Sequence, residues 1–221
     1  MTPRWHPSPN FTARRGGAQP SLVVLHYTAM ADAQAALDRL CDPASEVSAH
    51  YLISRDGRLW QLVDEAMRAW HAGAGDWAGA ADVNSRSIGI ELDNTGAQPF
   101  AEPLMAALEA LLPQIMARWA IGPEGVIGHS CMAPGRKQDP GPRFDWARLA
   151  RQGLARPAAA CPATPDTARF RARAQAAGFT AEVPDDVLLA AVRLRFRPGA
   201  QGALSAADMA VLPEAGQNYP R

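Results

Sequence analysis

The segment SLVVLHY, residues 21–27, decides the fold of this chain. Its apolar and β-branched run over residues 21–25 predicts a buried strand, which ends at His26 and Tyr27. Ligands of α/β sheets bind beyond the carboxyl ends of the strands. His26 therefore lies where a functional site is expected to open.

Segments on both sides of this strand alternate between strand and helix patterns. Two apolar runs flank Asp56-Gly57, and an Asp-Gly pair in that setting predicts a β-hairpin. Asp32 is a suitable N-cap, whereas Pro113 predicts a kink or a break in its helix. The predicted elements are helices over 32–40, 101–119 and 144–153, and strands over 50–54, 58–63, 87–92 and 125–128. The fold class is thus α/β, with a mixed central β-sheet flanked by helices.

The last third of the chain has a different pattern. Residues 154–165 are rich in Ala and Pro and predict a semi-rigid linker. Leu188, Val192 and Phe196 then repeat at helical spacing on one face. Helices are predicted over 167–177, 185–197 and 205–212. We expect a catalytic domain with an N-terminal arm over 1–153, the linker, and a small three-helix domain over 166–221.

Composition excludes several classes of protein. The 221 residues include 22 Lys and Arg against 22 Asp and Glu, a balance that argues against nucleic acid or an anionic membrane as partner. No apolar run is long enough for a transmembrane helix. The polar N-terminus lacks the apolar core of a secretion signal and predicts a cytoplasmic protein, with a periplasmic or wall-associated one as the alternative. Three cysteines fit reduced thiols better than disulfides.

Two histidines and one aspartate form a candidate metal set. His26 and His129 each end an apparent strand, and Asp139 follows in the loop GRKQDPGP. Two imidazoles and a carboxylate are a zinc set that leaves a fourth position for water. Zinc-bound water ionises near pH 7 and is then a nucleophile. The alternative is that these are ordinary polar residues at strand ends.

Two charged residues are candidates for the chemistry beside this set. Glu91 lies between Ile90 and Leu92 in an otherwise apolar strand, and a pocket-facing carboxylate there suits a general base. Lys137 is the only lysine of the chain and stands two residues before Asp139, where its ammonium can stabilise an oxyanion. The alternatives are a solvent-facing glutamate and a solvated loop lysine.

Several blocks of the sequence together resemble a known family. They are LVVLHYTAM, VSAHYLISRDGRLWQLV, RAWHAG, NSRSIGIELDNTG and GHSCMAPGRKQDPGPRFDW, in this order over roughly residues 8–150. The chain resembles the zinc-dependent N-acetylmuramoyl-L-alanine amidases (Amidase_2, the AmpD/AmiD-like group), whose fold is that of peptidoglycan-recognition proteins. The resemblance implies Zn²⁺ held by His26, His129 and Asp139, with Glu91 as the general base and Lys137 steadying the oxyanion.

The same resemblance implies the reaction and the substrate. The bond cut is the amide between the lactyl group of N-acetylmuramic acid and L-alanine, in peptidoglycan or anhydro-muropeptide fragments, for cell-wall turnover or recycling. His71, Arg86 and Asn94 are candidates for substrate contacts, and His50 is expected to be packed near the sheet. Cys131, close to a predicted ligand, is expected to be an inert thiol.

The C-terminal segment RLRFRPGAQGALSAADMAVL resembles a small peptidoglycan-binding helical module. Val192 and Arg193 stand where that module usually has a Phe-Gln pair, so a domain that merely packs on the catalytic unit is an equal alternative. Two other functions stay open, a non-catalytic peptidoglycan-recognition module and a metallohydrolase of another amide. A monomer is expected.

Overall fold

The computed structural model describes residues 2–216. Its strands are β1 (Arg4–Trp5), β2 (Phe11–Ala13), β3 (Leu22–Tyr27), β4 (Tyr51–Ile53), β5 (Leu59–Gln61), β6 (Met67–Ala69), β7 (Ser87–Leu92) and β8 (Val126–Gly128). Its helices are α1 (Ala33–Cys41), α2 (Glu102–Trp119), α3 (His129–Met132), α4 (Trp146–Arg151), α5 (Thr167–Ala176), α6 (Asp185–Phe196) and α7 (Ala206–Ala210).

A six-stranded mixed sheet forms the centre, in the order β1-β5-β4-β7-β3-β8. Strands β4, β7, β3 and β8 run parallel, whereas β4 and β5 form the antiparallel hairpin that the Asp56-Gly57 pair predicted. Strand β3 lies between β7 and β8, so its carboxyl end adjoins theirs. The predicted fold class, a mixed sheet flanked by helices, is confirmed.

The two faces of the sheet have different coverings. On one face, Val23 and Leu25 pack with Ile88 and Ile90 against α2 in the largest apolar cluster. On the other face, α1 covers Leu52, while Leu22 and Val24 contact the C-terminal helices. Alternation along β3 places His26 on this second face, between the two groups of helices.

The C-terminal helices share an apolar cluster with the sheet. Phe170 of α5 and Leu188 of α6 are buried together with Val24 of β3 and Ile127 of β8. The predicted helical face of α6 is confirmed, since Leu188 and Val192 are buried in this cluster and Phe196 packs against it. The proposed domain boundaries stay a prediction, and the end of the C-terminal domain, residues 217–221, lies outside the described residues.

The structure departs from the sequence predictions at one helix and at three short strands. Helix α2 continues through Pro113, so of the two predicted alternatives, a kink or a break, the break is wrong. The ring of Pro113 is exposed, and a solvent-facing proline removes one hydrogen bond without displacing the buried face. The short strands β1, β2 and β6 were not predicted, because their two or three residues show no periodicity. Among residues 2–216, no helix has the length and apolar character needed to cross a membrane.

A buried carboxylate connects the hairpin to α2. Glu65 accepts hydrogen bonds from the hydroxyl of Tyr51 at 2.6 Å and from the indole nitrogen of Trp119 at 2.6 Å. Its two oxygens also accept from Arg118 at 2.6 and 2.9 Å. Burial alone would raise the pKa of Glu65, but these hydrogen bonds outweigh it and lower the pKa.

We predict that Glu65→Gln lowers the free energy of unfolding by about 2 kcal/mol at pH 7, because buried donors lose their charged acceptor. A carboxyl group with a lowered folded pKa stabilises above its unfolded pKa, and this contribution disappears as the pH falls. The difference from wild type should therefore shrink below about pH 4. Urea denaturation over pH 3–7 measures it.

Glu102→Gln is the matched control, because the Glu102 side chain is 72% exposed in its ion pair with Arg148. Exposed pairs contribute little, so this variant should have nearly the same free energy of unfolding as wild type. Equal losses in the two variants would contradict the assigned role of Glu65.

Candidate metal centre

The carboxyl ends of β3 and β8 bring two histidines side by side. The register pairs Leu25 with Gly128, so the next residues are His26 on β3 and His129, which follows β8 as the first residue of α3. Both rings are buried, and their centroids lie 4.5 Å apart with an interplanar angle of 78°. The sheet itself thus fixes the separation of these two side chains.

The loop after α3 returns Asp139 to the same point. The backbone N–H of Ser130 donates to the Asp139 carbonyl at 2.9 Å. A Cβ at Gly128 would lie 2.7 Å from the Pro140 ring, so only glycine allows this close approach. The Asp139 Oδ2 atom lies 2.8 Å from His26 Nδ1 and 3.0 Å from His129 Nδ1.

These three residues have the geometry of a metal-binding group. Among residues 2–216 they form the single group of three or more His, Cys, Asp or Glu side chains suited to a metal ion, with ligand atoms within 4.8 Å of one another. Ligands in a tetrahedral zinc site are separated by about 3.3 Å, close to the distances found here. Two imidazoles and one carboxylate also match the donor set that zinc prefers.

The protonation of the three groups also suits a cation. Burial, and then the charge of His129, lower the pKa of His26 to about 4, so its ring is neutral at pH 7. Burial opposes ionisation of Asp139, but the interaction with the adjacent rings of His129 and His26 holds the pKa of this carboxyl well below its usual range. The Nε2 of His129 lies 2.8 Å from the Ala72 carbonyl and donates to it, which leaves Nδ1 as the ligand atom.

Glu91 lies beside this cluster on the neighbouring strand. The register pairs it with His26, so both side chains point to the same face of the sheet. Its Oε2 atom is buried without a hydrogen-bond partner, and the residue lines a pocket of about 470 Å³ together with the three metal-type ligands. Burial, and then the charge of Asp139, raise the pKa of Glu91 to about 8, although Lys137 acts in the opposite direction.

Lys137 approaches the pocket from the loop that carries Asp139. It lines the same cavity, and the side chain is exposed. No carboxylate within residues 2–216 lies within ion-pair distance of it, in contrast to the paired arginines Arg118 and Arg148. Its ammonium is thus available at the rim of the pocket.

The three predicted substrate contacts lie in different places. His71 lines the pocket, but its two ring nitrogens face His26 and Ser87. Arg86 precedes β7 and is therefore about 16 Å along the strand from Glu91. It lines a separate cavity and donates to the Trp77 carbonyl at 2.7 Å. The structure does not bring Arg86 to the pocket.

Asn94 also lies outside the residues that line the pocket. Its amide nitrogen donates to the carbonyls of Gln98 and Pro99 at 3.2 and 3.3 Å, and its side-chain oxygen accepts from Gly96. The side chain thus orders the loop that follows β7. Neither Arg86 nor Asn94 is thus among the residues that line the pocket.

His50 and Cys131 have the surroundings that the sequence predicted. His50 is fully buried, and its Nδ1 accepts from the Gly89 N–H at 2.9 Å. Cys131 lies in the apolar cluster beneath the C-terminal helices, where burial raises the pKa of its thiol. A protonated, buried thiol is a poor competitor for a metal ion.

Other pocket residues were missed by the sequence reasoning. Arg39 of α1 and Trp70 also line the pocket, as does Gln138, which stands between Lys137 and Asp139 in the sequence. Arg39 lies on the exposed side of α1, and the apolar spacing of that helix in the sequence identifies only the residues of its buried face. Trp70, by contrast, lies in the RAWHAG block, and that block could have identified it as a pocket residue from the sequence.

Comparisons with known proteins agree with this fold. Residues 16–142 match the family described as N-acetylmuramoyl-L-alanine amidase, Amidase_2. AmiD of Escherichia coli K12 is 44% identical over 149 residues, which are 60% of this chain and 53% of AmiD. AmpD of Citrobacter freundii, named a 1,6-anhydro-N-acetylmuramyl-L-alanine amidase, is 35% identical over 65% of this chain and 86% of AmpD. The match thus spans about half the length of AmiD.

Solved structures extend the similarity to most of the chain. A complex of E. coli AmiD with the substrate anhydro-N-acetylmuramic acid-L-Ala-D-gamma-Glu-L-Lys has a TM-score of 0.79 at 34% identity and covers 91% of this chain and 95% of that one. AmpDh3 from Pseudomonas aeruginosa has a TM-score of 0.80 at 31% identity and covers 95% and 96%.

The protein therefore has an amidase fold, in which a His-His-Asp cluster lies beyond the ends of the parallel strands of a mixed sheet. The chain belongs to the N-acetylmuramoyl-L-alanine amidase family. The family and the enzyme class predicted from the sequence motifs are confirmed.

The raised pKa of Glu91 predicts an unusual pH dependence for the metal-free protein. A folded pKa of about 8 lies above the ordinary value near 4.3, so the native state binds more protons than the unfolded chain between these values. Stability then falls as the pH rises through this window. Glu91→Gln cannot ionise, so we expect its stability relative to wild type to increase by about 3 to 4 kcal/mol from pH 5 to pH 8.

Urea denaturation in the presence of a chelator measures this difference. Glu182→Gln, a change at an exposed glutamate, should show a constant difference from wild type over the same range. A constant difference for Glu91→Gln as well would contradict the raised pKa.

Proposed function

We propose that this protein is a zinc-dependent N-acetylmuramoyl-L-alanine amidase. The bond hydrolysed is the amide between the lactyl group of N-acetylmuramic acid and L-alanine. The observation that carries the proposal is the convergence of His26 Nδ1 and His129 Nδ1 on Asp139 Oδ2, with Glu91 facing the same pocket. A pocket of about 470 Å³ is large enough for a short glycopeptide segment around the scissile bond.

His26, His129 and Asp139 would hold the metal. Zinc bound there polarises the scissile carbonyl and lowers the pKa of a water molecule to about 7. The buried Glu91 Oε2, which has no hydrogen-bond partner, is placed to accept a proton from the attacking water. The same carboxyl group then delivers that proton to the nitrogen of the departing L-alanine.

Lys137 would stabilise the negative charge that develops on the carbonyl oxygen. Its ammonium has no carboxylate partner within ion-pair distance among the described residues, so its charge is not neutralised before substrate arrives. At the end of the reaction, the water oxygen is in the lactyl carboxylate and the alanine amine is free. Every step thus has a side chain of this pocket assigned to it.

The substrate proposed here is an anhydro-muropeptide. The AmiD structure contains such a substrate, and AmpDh3 has been solved with anhydromuramic pentapeptide. The AmpD name gives the same 1,6-anhydro sugar. The process served is cell-wall turnover or recycling, in the cytoplasm or at the wall.

A peptidoglycan-recognition module without activity is the alternative. Such a module would need no general base. A carboxyl group buried without a partner lowers stability, and a role in proton transfer explains why the chain carries one here. The retained set of three metal-type ligands and Glu91 therefore favours an enzyme.

We predict that Glu91→Gln and Lys137→Ala each lower kcat by about 100- to 10,000-fold, as expected for loss of a proton-transfer group or of an oxyanion donor. Mass spectrometry of products from an anhydro-muropeptide measures the free peptide and the released sugar. Glu182→Gln should retain wild-type activity. Near-wild-type rates in Glu91→Gln would overturn the assignment of the base.

We also predict that chelation abolishes hydrolysis and that added zinc restores it. His129→Ala should bind substrate without cleaving it, with or without zinc, because one ligand of three is missing. The same assay on intact sacculi tests the polymeric substrate. Tight binding by wild type with no products from either substrate would favour the recognition module.

A further inference from the structure

A chain of hydrogen bonds extends behind His26, on the side away from Asp139. His26 Nε2 lies 3.0 Å from His71 Nδ1, and His71 Nε2 lies 3.1 Å from the Ser87 hydroxyl. Ser87 Oγ in turn lies 2.6 Å from the Val83 carbonyl. All of these groups are wholly or largely buried, and the family blocks assign none of these contacts a role.

The direction of this chain follows from its last member. A carbonyl can only accept, so the Ser87 hydroxyl donates to Val83 and its lone pair accepts from His71 Nε2–H. His71 Nδ1 faces His26 Nε2 at 3.0 Å, and when the single hydrogen of a neutral imidazole is on Nε2, this Nδ1 is a bare acceptor. His26 Nε2 must then carry the hydrogen, which leaves His26 Nδ1 without one, directed at Asp139.

His71 is itself held firmly in place. Its backbone N–H and that of Ala72 both donate to Asn84 Oδ1, at 3.0 and 2.8 Å. A Cβ at Gly89 would lie 2.5 Å from the His71 ring, so the ring lies directly on the backbone of β7. The Ala72 carbonyl accepts from His129, so this two-residue segment contacts the outer nitrogens of both histidines.

We propose that His71, oriented by Ser87, is a positioning residue that holds His26 in the tautomer and orientation needed to bind the metal through Nδ1. His71 replaces the carboxylate or carbonyl that commonly accepts the outer N–H of a metal-bound histidine. A neutral ring does this without adding negative charge beside Glu91 and Asp139. The inference rests on the metal site of the proposed function but not on the amidase activity.

The test is the zinc dissociation constant, measured by competition with a chromophoric chelator at pH 7. His71→Phe keeps a ring but removes both hydrogen bonds, and loss of such a partner weakens metal binding by about 10- to 100-fold. His71→Gln offers an acceptor and a donor at a similar separation, so it should retain most of the affinity. Ser87→Ala should also weaken zinc binding, but by a smaller factor.

Ser85→Ala is the matched control. Ser85 is a buried serine two residues from Ser87, and its hydroxyl bonds Asp82 and the backbone N–H of Arg15 rather than a histidine. It should bind zinc as wild type does. The double variant His71→Phe, Ser87→Ala should bind within about twofold of His71→Phe alone, because both residues act in one chain. Unfolding midpoints of the metal-free proteins show whether each variant is folded.

Wild-type zinc affinity in folded His71→Phe would overturn the proposal. If His71→Phe does not fold, equal affinities of Ser87→Ala and Ser85→Ala, or a His71→Gln variant that loses as much as about 100-fold, would overturn it instead. Failure of wild type to bind zinc would overturn both this inference and the metal site. Zinc binding without hydrolysis would contradict only the amidase proposal.

Discussion

A single carboxylate oxygen, Asp139 Oδ2, within 3.0 Å of two imidazole nitrogens is the contact around which the rest of this structure is arranged. Parallel pairing of β3 with β8 fixes where the two rings stand, and the absence of a side chain at Gly128 lets the loop bring the carboxylate to them. Burying such a cluster costs stability, because a charged carboxylate and two polar rings are removed from water. The sheet must therefore be rigid enough to hold it.

Rigidity comes from the opposite face and from the margins of the sheet. Helix α2 covers the apolar side chains of β3 and β7, while Glu65 joins that helix to the hairpin. The face that carries the site is covered in two parts, by α1 and by the C-terminal helices, and the pocket lies between them. Alternate residues of β3 thus have different roles: Leu25 packs in the apolar core, whereas the next residue, His26, belongs to the site.

Sequence alone predicted the parts of the fold that have strong local causes. The apolar run of β3, the Asp32 cap, whose side chain accepts from Ala35, and the turn at Gly57 all act within a few residues. The site residues at strand ends could be predicted for the same reason, because a local apolar run shows where each strand ends. Arg86 and Asn94 differ for two reasons. Arg86 precedes β7 and lies at the end of the strand away from Glu91, whereas Asn94 follows β7 but its side chain bonds the loop that carries it. The contacts of His71 join three separate segments, and no pattern within one segment shows them.

The two acids of the pocket have opposite environments, and this difference assigns their tasks. Asp139 lies against two imidazole rings, and the interaction with them holds its pKa far below the usual range, so it stays a charged ligand. Glu91, one strand away, is buried with an unpartnered oxygen, and its pKa rises to about 8. Carboxyl groups whose pKa values are pushed apart serve as fixed charge and proton carrier respectively. A bound cation would bring the pKa of Glu91 down toward neutrality, where a group that first accepts and then donates a proton is most effective.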